Sequence, residues 1–193
     1  MTARTGMTNL IATLRGMAQA GTAEFTLGSL TFFTDDQLQQ TLDLYREDVY
    51  QLPLVSEPHT GTASVAIYTD LYFPAGYWEE ASGGTAIWAI QDSTGALLGT
   101  ADYTVNYDAG HVHTTADTLG TAYYLTARQY DLHRAAGDIW RKKAAAAASG
   151  VNWSSDNHSF SSAQKYDHYM QMAALFDGQA PARVTTVTRG DVW

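Results

Sequence analysis

The chain has 193 residues, 45% of them hydrophobic and 16% charged, enough for one cored domain with appendages. It contains no cysteine, which excludes disulfides and thiolate metal sites, and no apolar run of about 18 residues, which excludes a membrane-spanning helix. The formal net charge of −9 is concentrated: from Glu24 to Asp117 fourteen acids accompany a single base, Arg46, which argues against tight nucleic-acid binding through that stretch. A solvated acidic surface explains the surplus, and a surface that repels DNA or meets a basic partner is the sharper alternative.

The opening MTARTGMTNL lacks the apolar stretch of a secretory leader, so the expectation is a protein made in a cytosol or carried in a particle assembled there. Residues 8–20 place Leu10, Ile11, Leu14, Met17 and Ala18 on one helical stripe, with Thr8 as cap and Gly21 as stop. FTLGSLTFF, 25–33, is β-prone but broken by Gly28. Thr34-Asp-Asp-Gln37 is a capping box opening a helix to about Tyr50, with Leu38, Leu42, Tyr45 and Val49 on one face. Pro53 ends it, and 51–61 reads as a loop.

From about 62 to 115 the helical period gives way to SVAIYTDLYF, TAIWAIQD, ALLGTADYTVNYD and HVHT, rich in β-branched and aromatic residues. Asp92-Ser-Thr-Gly95 and Asp108-Ala-Gly110 are turns between them. The alternation does not say which face is buried. Tyr123 to Ser149 then reads as one long helix, with Leu125, Leu132, Ala135, Ala136, Ile139 and Lys143 in a stripe and an alanine run from Ala144 to Ala148. Gly137 marks a close backbone approach within it. A polar connection holding Trp153 leads to a second capping box at Ser161-Ser-Ala-Gln164. That box opens a helix carrying Tyr166, Tyr169, Met170, Ala173 and Phe176 on one face. The tail from Gln179 is β-prone and suits either addition to a neighbour's sheet edge or a frayed end.

The pattern predicts an α+β fold. A small helical bundle, with a long helix at about 122–149 paired with one at about 161–177 and joined by a helix at 34–50, carries an inserted antiparallel sheet or small sandwich at about 62–115. The domain reading is 1–22 as an N-terminal helix, 23–178 as the main domain with its β insertion at 60–117, and 179–193 as an extended tail.

Chemistry is sparse. His111 and His113 form an H-x-H pair whose side chains share a strand face and could hold two metal positions, with Asp108 or Asp117 near in sequence as a third. Two polar residues on an exposed hairpin strand are the preferred reading, because H-x-H recurs by chance. Asp35-Asp36 is explained by a helix N-terminus and Glu79-Glu80 by a solvated loop. No P-loop, G-x-G-x-x-G or G-x-S-x-G occurs, and no Ser-His-Asp set is selected by spacing, so no catalytic residue and no cofactor are expected. Twelve tyrosines and five tryptophans are an excess suited to a carbohydrate or protein surface. Trp88, Trp140 and Trp153 are read as core anchors, and Tyr68, Tyr72, Tyr77 and Trp78 as either.

The run Y-D-L-H-x-A-A-x-D-I-W, Tyr130 to Trp140, and the run S-F-S-S-A-Q, Ser159 to Gln164, follow a helix FTDDQLQQTLDLYREDV and a DYTVNYDAG turn. In this order the chain resembles head–tail connector (adaptor, head-completion) proteins of tailed bacteriophages over roughly residues 25–178. The resemblance implies a structural, non-catalytic subunit of the virion neck, assembled in the host cytoplasm. It implies a dodecameric ring of self-contacts docked under the portal protein and joined to a tail or second neck protein. DNA would pass through its channel without sequence-specific binding, and no membrane would be involved. Within that picture Arg141, Lys142, Lys143, Ala146, Val184, Val187 and Trp193 are expected at subunit or portal interfaces. The alternative is an aromatic-rich virion module that grips carbohydrate or protein.

Overall fold

The computed structural model describes residues 3–22, 24, 26–27, 30–61, 65–81, 88–148, 153–155, 158–160 and 162–181. A 3-10 turn, Thr5–Met7, leads into helix α1, Thr8–Ala18, which buries Leu10, Ile11, Leu14 and Ala18. Its stop is Gln19 in the left-handed region, φ 48°, ahead of the expected Gly21. Strands β1, Thr26–Leu27, and β2, Leu30–Thr31, pair as a small hairpin. Helix α2, Asp35–Asp43, has its capping box in place: the Thr34 hydroxyl accepts from Gln37 N, and Gln37 Oε1 accepts from Thr34 N at 3.2 Å.

The chain then turns to sheet earlier than its helical periodicity suggests. Strand β3, Arg46–Pro53, runs through Leu54 into β4, Val55–Thr60, followed by β5, Ala66–Tyr72, β6, Tyr77–Trp78, β7, Ala89–Asp92, β8, Tyr103–Asn106, β9, His111–Thr114, and β10, Tyr123–Tyr130. Helix α3, Leu132–Ala148, follows β10 after one residue; a hairpin of β11, Trp153–Ser155, and β12, His158–Phe160, precedes α4, Ser162–Gln179. In one antiparallel sheet β10 is central, paired with β3 on one edge and with β6 and β7 along the other. The second antiparallel sheet has the order β4-β5-β9-β8. Leu54 is the corner at which the β3–β4 strand changes sheets, tied by its N–H to the Tyr123 carbonyl at 2.9 Å.

The expected small helical bundle with an inserted sheet is therefore corrected. Among the described residues this is an α+β protein of four helices and two four-stranded antiparallel sheets, besides the two short hairpins. Two segments account for the difference. Tyr123–Tyr130 is a strand, not the first turns of the long helix: Leu125 and Ala127 are buried at period two, and partners on both edges satisfy its backbone. Asp131 marks the true helix start, its Oδ1 accepting from Arg134 N at 3.1 Å as an N-cap does. Likewise Arg46–Pro53 leaves the α2 helix to pair with β10, and the supposed 51–61 loop is mostly strand. The prolines are accommodated because Pro53 ends β3 and Pro58 sits at the β4 bulge between Glu57 and His59, on a sheet edge.

Two cores result. Met7, Leu10, Ile11, Leu14, Leu38, Leu42, Leu132, Ala135, Ala136 and Ile139 join α1, α2 and α3. Leu54, Leu71, Phe73, Trp78, Trp88, Ile90, Val112, Leu125 and Ala127 fill the space between the sheets. In the second core Phe73 meets Trp78 and Trp88 edge-on, each at 5.5 Å between ring centroids, so Trp78 is interior. Gly110, at φ 65° in the expected turn, has no room for a Cβ, which would lie 2.3 Å from the Phe73 carbonyl oxygen.

The cores meet at a charged knot. Glu79, read from the sequence as part of a solvated loop, is 0% exposed. Its Oε1 accepts from Arg4 Nε at 2.9 Å and its Oε2 from the Tyr130 hydroxyl at 2.6 Å. Arg4 also grips Asp43 through both terminal nitrogens, at 2.7 and 3.0 Å, and that bond first, then Glu79, raises its pKa further. Burial, then the bond to Glu79, pushes the Tyr130 phenol well above its ordinary value. Removing Arg4 leaves the buried carboxylate without its hydrogen-bonded cation, with Arg128 at 3.8 Å the remaining one. Arg4→Met is expected to destabilise the fold by about 3 kcal/mol. In a double-mutant cycle read by urea unfolding, adding Glu79→Met recovers part of that loss; strictly additive losses would refute the coupling.

Candidate functional site

The outer face of the β4-β5-β9-β8 sheet gathers the groups with the most chemistry. In β5 and β9, Leu71 pairs with Val112 and both point inward, which sends Asp70, Tyr72, His111 and His113 outward. Asp70 lies directly across the ladder from His113. Its Oδ1 is 3.0 Å from His113 Nδ1 and 2.8 Å from His111 Nε2, and its Oδ2 is 3.4 Å from His59 Nδ1 on β4. Thr69 Oγ1 donates to Asp70 Oδ2 at 3.2 Å, and the His111 ring stacks on Tyr72 with 4.9 Å between centroids, so carboxylate and ring orientation are both supported.

His111 and His113 thus share a face as expected, but their carboxylate partner is neither residue suggested by nearness in sequence. Asp117 accepts from Tyr68 N and Leu119 N, each at 2.9 Å, and Asp108 is exposed in the turn after β8. Asp70 and His59 were missed. The one available signal was the alternation of T-D-L-Y-F, which puts Asp70 opposite Leu71; which strand lies next to it is a tertiary fact. Two imidazoles and a carboxylate, with a third imidazole beside them, can exchange protons, hold an anion when charged, or ligate a metal when neutral.

The basic residues expected at interfaces also make contacts within the subunit. Lys143 is buried: its Nζ reaches the Gln19 carbonyl and Glu24 Oε2, both at 2.9 Å, and lies over the Trp140 ring at 4.9 Å. Trp140 Nε1 donates to the Met17 carbonyl at 3.3 Å, so α3 closes the C-terminal end of α1. Lys142 Nζ reaches Thr41 Oγ1 at 2.9 Å, and Arg141 pairs with Asp138 and with Asp177 of α4. Ala144 is buried, Ala146 half-buried, and Ala145 and Ala148 exposed. Val184, Val187 and Trp193 lie outside the described residues, as do Ser149, Gly150 and Ser161 of the expected helix boundaries.

Comparison with protein-family models, curated proteins and solved structures finds no match to this chain.

The bond to His113, then that to His111, holds the Asp70 carboxyl at about 2, below its ordinary 3.8. The ionised form is therefore favoured by the fold; its stabilising effect is complete above about 4 and is lost as pH falls through about 2. In buffer stripped of metal ions, the stability difference between wild type and Asp70→Asn should shrink over that acid window, followed by urea midpoints at each pH. A difference that stays constant there would mean that Asp70 gains nothing from its histidines.

Proposed function

We propose that the chain is a structural subunit of a tailed-bacteriophage neck rather than an enzyme. It assembles with copies of itself into a ring, dodecameric by the resemblance, that docks under the portal and meets a tail or second neck protein, with DNA passing through. The observation that carries this reading is the surface of α4. That helix runs antiparallel to α3: Phe176 lies near His133, Tyr169 against Trp140 at 5.5 Å, and Asp177 at Gly137. These contacts cover only part of its apolar stripe. Among its residues Ala173 alone is buried, while Tyr166 and Met170, one turn apart, are exposed, as is Leu175. The exposed Ala145 and Ala148 lie at the same end of the hairpin as Tyr166, and small residues there permit a neighbour to approach closely. This hairpin is also the part of the chain that carries most of the resemblance.

The alternative, a module that grips carbohydrate through aromatic rings, is weaker because Trp78, Trp88 and Trp140 are interior. An excess of 20 acids over 11 bases suits a wall past which DNA slides.

Mixing the purified chain with portal rings tests the proposal. A stable complex with ring-like stoichiometry by light scattering is expected. Tyr166→Glu with Met170→Glu should abolish assembly while leaving the monomer folded, checked by its thermal midpoint, because each side chain keeps more than a third of its surface exposed. A chain that ignores portal rings and stays monomeric on them would overturn the reading.

A further inference from the structure

We propose that Asp70, His111 and His113, with His59 as the fourth ligand, form a binding site for a zinc-class divalent cation on the outer sheet face. This rests on the side-chain geometry and stands apart from the neck reading.

The donor set selects the ion class. Imidazole nitrogens with one carboxylate suit zinc, cobalt, nickel or copper, whereas magnesium and calcium take oxygen ligands. The spacing agrees. A tetrahedral zinc ion with ligand bonds of about 2.0–2.1 Å holds its donors about 3.3 Å from one another. Here one donor atom from each of Asp70, His111 and His113 lies within 4.8 Å of the other two. His111 and His113 lie 2.8 and 3.0 Å from Asp70 Oδ1, close to that separation; His59, 3.4 Å from Asp70 Oδ2, stands outside this group of three and turns in to complete the coordination.

The scaffold favours it too. Three of the four positions are set by paired strands: His111 and His113 alternate on β9, and Asp70 opposes His113 on β5. His59 arrives from edge strand β4 just past the bulge at Pro58, so a bound ion staples β4, β5 and β9 together. The Tyr72 stack on His111 and the Thr69 bond to Asp70 are supports of the kind that hold first ligands in place. The side chains of His113 and His59 are 54% and 50% exposed, which leaves an entry path from solvent.

The test uses the full chain stripped with a chelator, then titrated with Zn²⁺ by calorimetry and with Co²⁺ by visible absorption. One equivalent of zinc should bind, with a rise in thermal midpoint, and cobalt should develop the intense d–d bands of a four-coordinate site. His111→Ala and His113→Ala should each weaken zinc at least about 100-fold, beyond what loss of a supporting residue does. His113→Gln, at an exposed position and of similar size, guards against a mere folding failure, and His168→Ala on α4 should bind as wild type. Zinc binding that survives His111→Ala with His113→Ala, or a wild-type chain that takes up no zinc at micromolar concentration, would overturn the site. A four-coordinate cobalt spectrum retained by His59→Ala would remove His59 from the ligand set.

Discussion

The fold turns on one buried carboxylate. Glu79 is sealed from water just after the two-residue strand β6, and an ion there must be matched by charge and by hydrogen bonds or the chain does not close. The groups that match it come from two distant parts of the sequence: Arg4 from ahead of α1, and Tyr130 and, at 3.8 Å, Arg128 from the end of β10. Asp43, at the end of α2, holds the far side of the Arg4 guanidinium. The backbone confirms the fit. Glu80 N donates to the Gly6 carbonyl at 3.1 Å, and a Cβ on Gly6 would lie 2.3 Å from the Glu80 oxygen. The N-terminal segment is thus a structural part of the helical core and of the charged knot, and α1 follows it into place against α3.

The same contacts reinterpret the charge pattern. Along the chain the acids are segregated in the middle and the bases on the flanks. In space the flanks fold back onto the middle: Arg4 meets Asp43 and Glu79, Arg15 meets Asp35, Arg128 meets Asp48, and Lys143 meets Glu24. Part of the acidic surplus is internal counter-charge. What remains outward is smaller than the count from Glu24 to Asp117 suggests, so arguments from an acidic surface apply only to the residual exposed acids.

Local signals were legible where local physics decides. The Thr34 capping box, the Asp92 turn, in which Asp92 Oδ1 accepts from Thr94 N and Ala96 N, and the stripe of α1 depend on neighbours a few residues away. The strands of 62–115 were legible too, by composition, but not their division between two sheets. Errors fell where a short segment satisfies two periods at once. Leu125 and Leu132, seven apart, fit a helical stripe; Leu125 and Ala127 fit a strand; pairing with β3 and β7 chose the second. Glu79 and Asp70 were illegible for a related reason. A carboxylate reads as solvated until the cation or imidazole opposite it is known, and the partners Arg4 of Glu79 and His111 of Asp70 lie 75 and 41 residues away.

The arrangement of α3 limits where a neighbour can sit. Its inner face is occupied along its length, by Ala135, Ala136 and Ile139 in the first core and by Trp140 and Lys143 against the end of α1. Two of its cations also tie the subunit together: Arg141 braces α4 through Asp177, and Lys142 reaches back to α2. Gly137 lets α4 approach closely through Ala173 and Asp177, and Tyr166 and Met170 keep a little over a third of their surface exposed. In this helix pair Lys143 alone of the three clustered cations is buried, while Arg141 and Lys142 stay exposed on the surface that also presents Ala145 and Ala148.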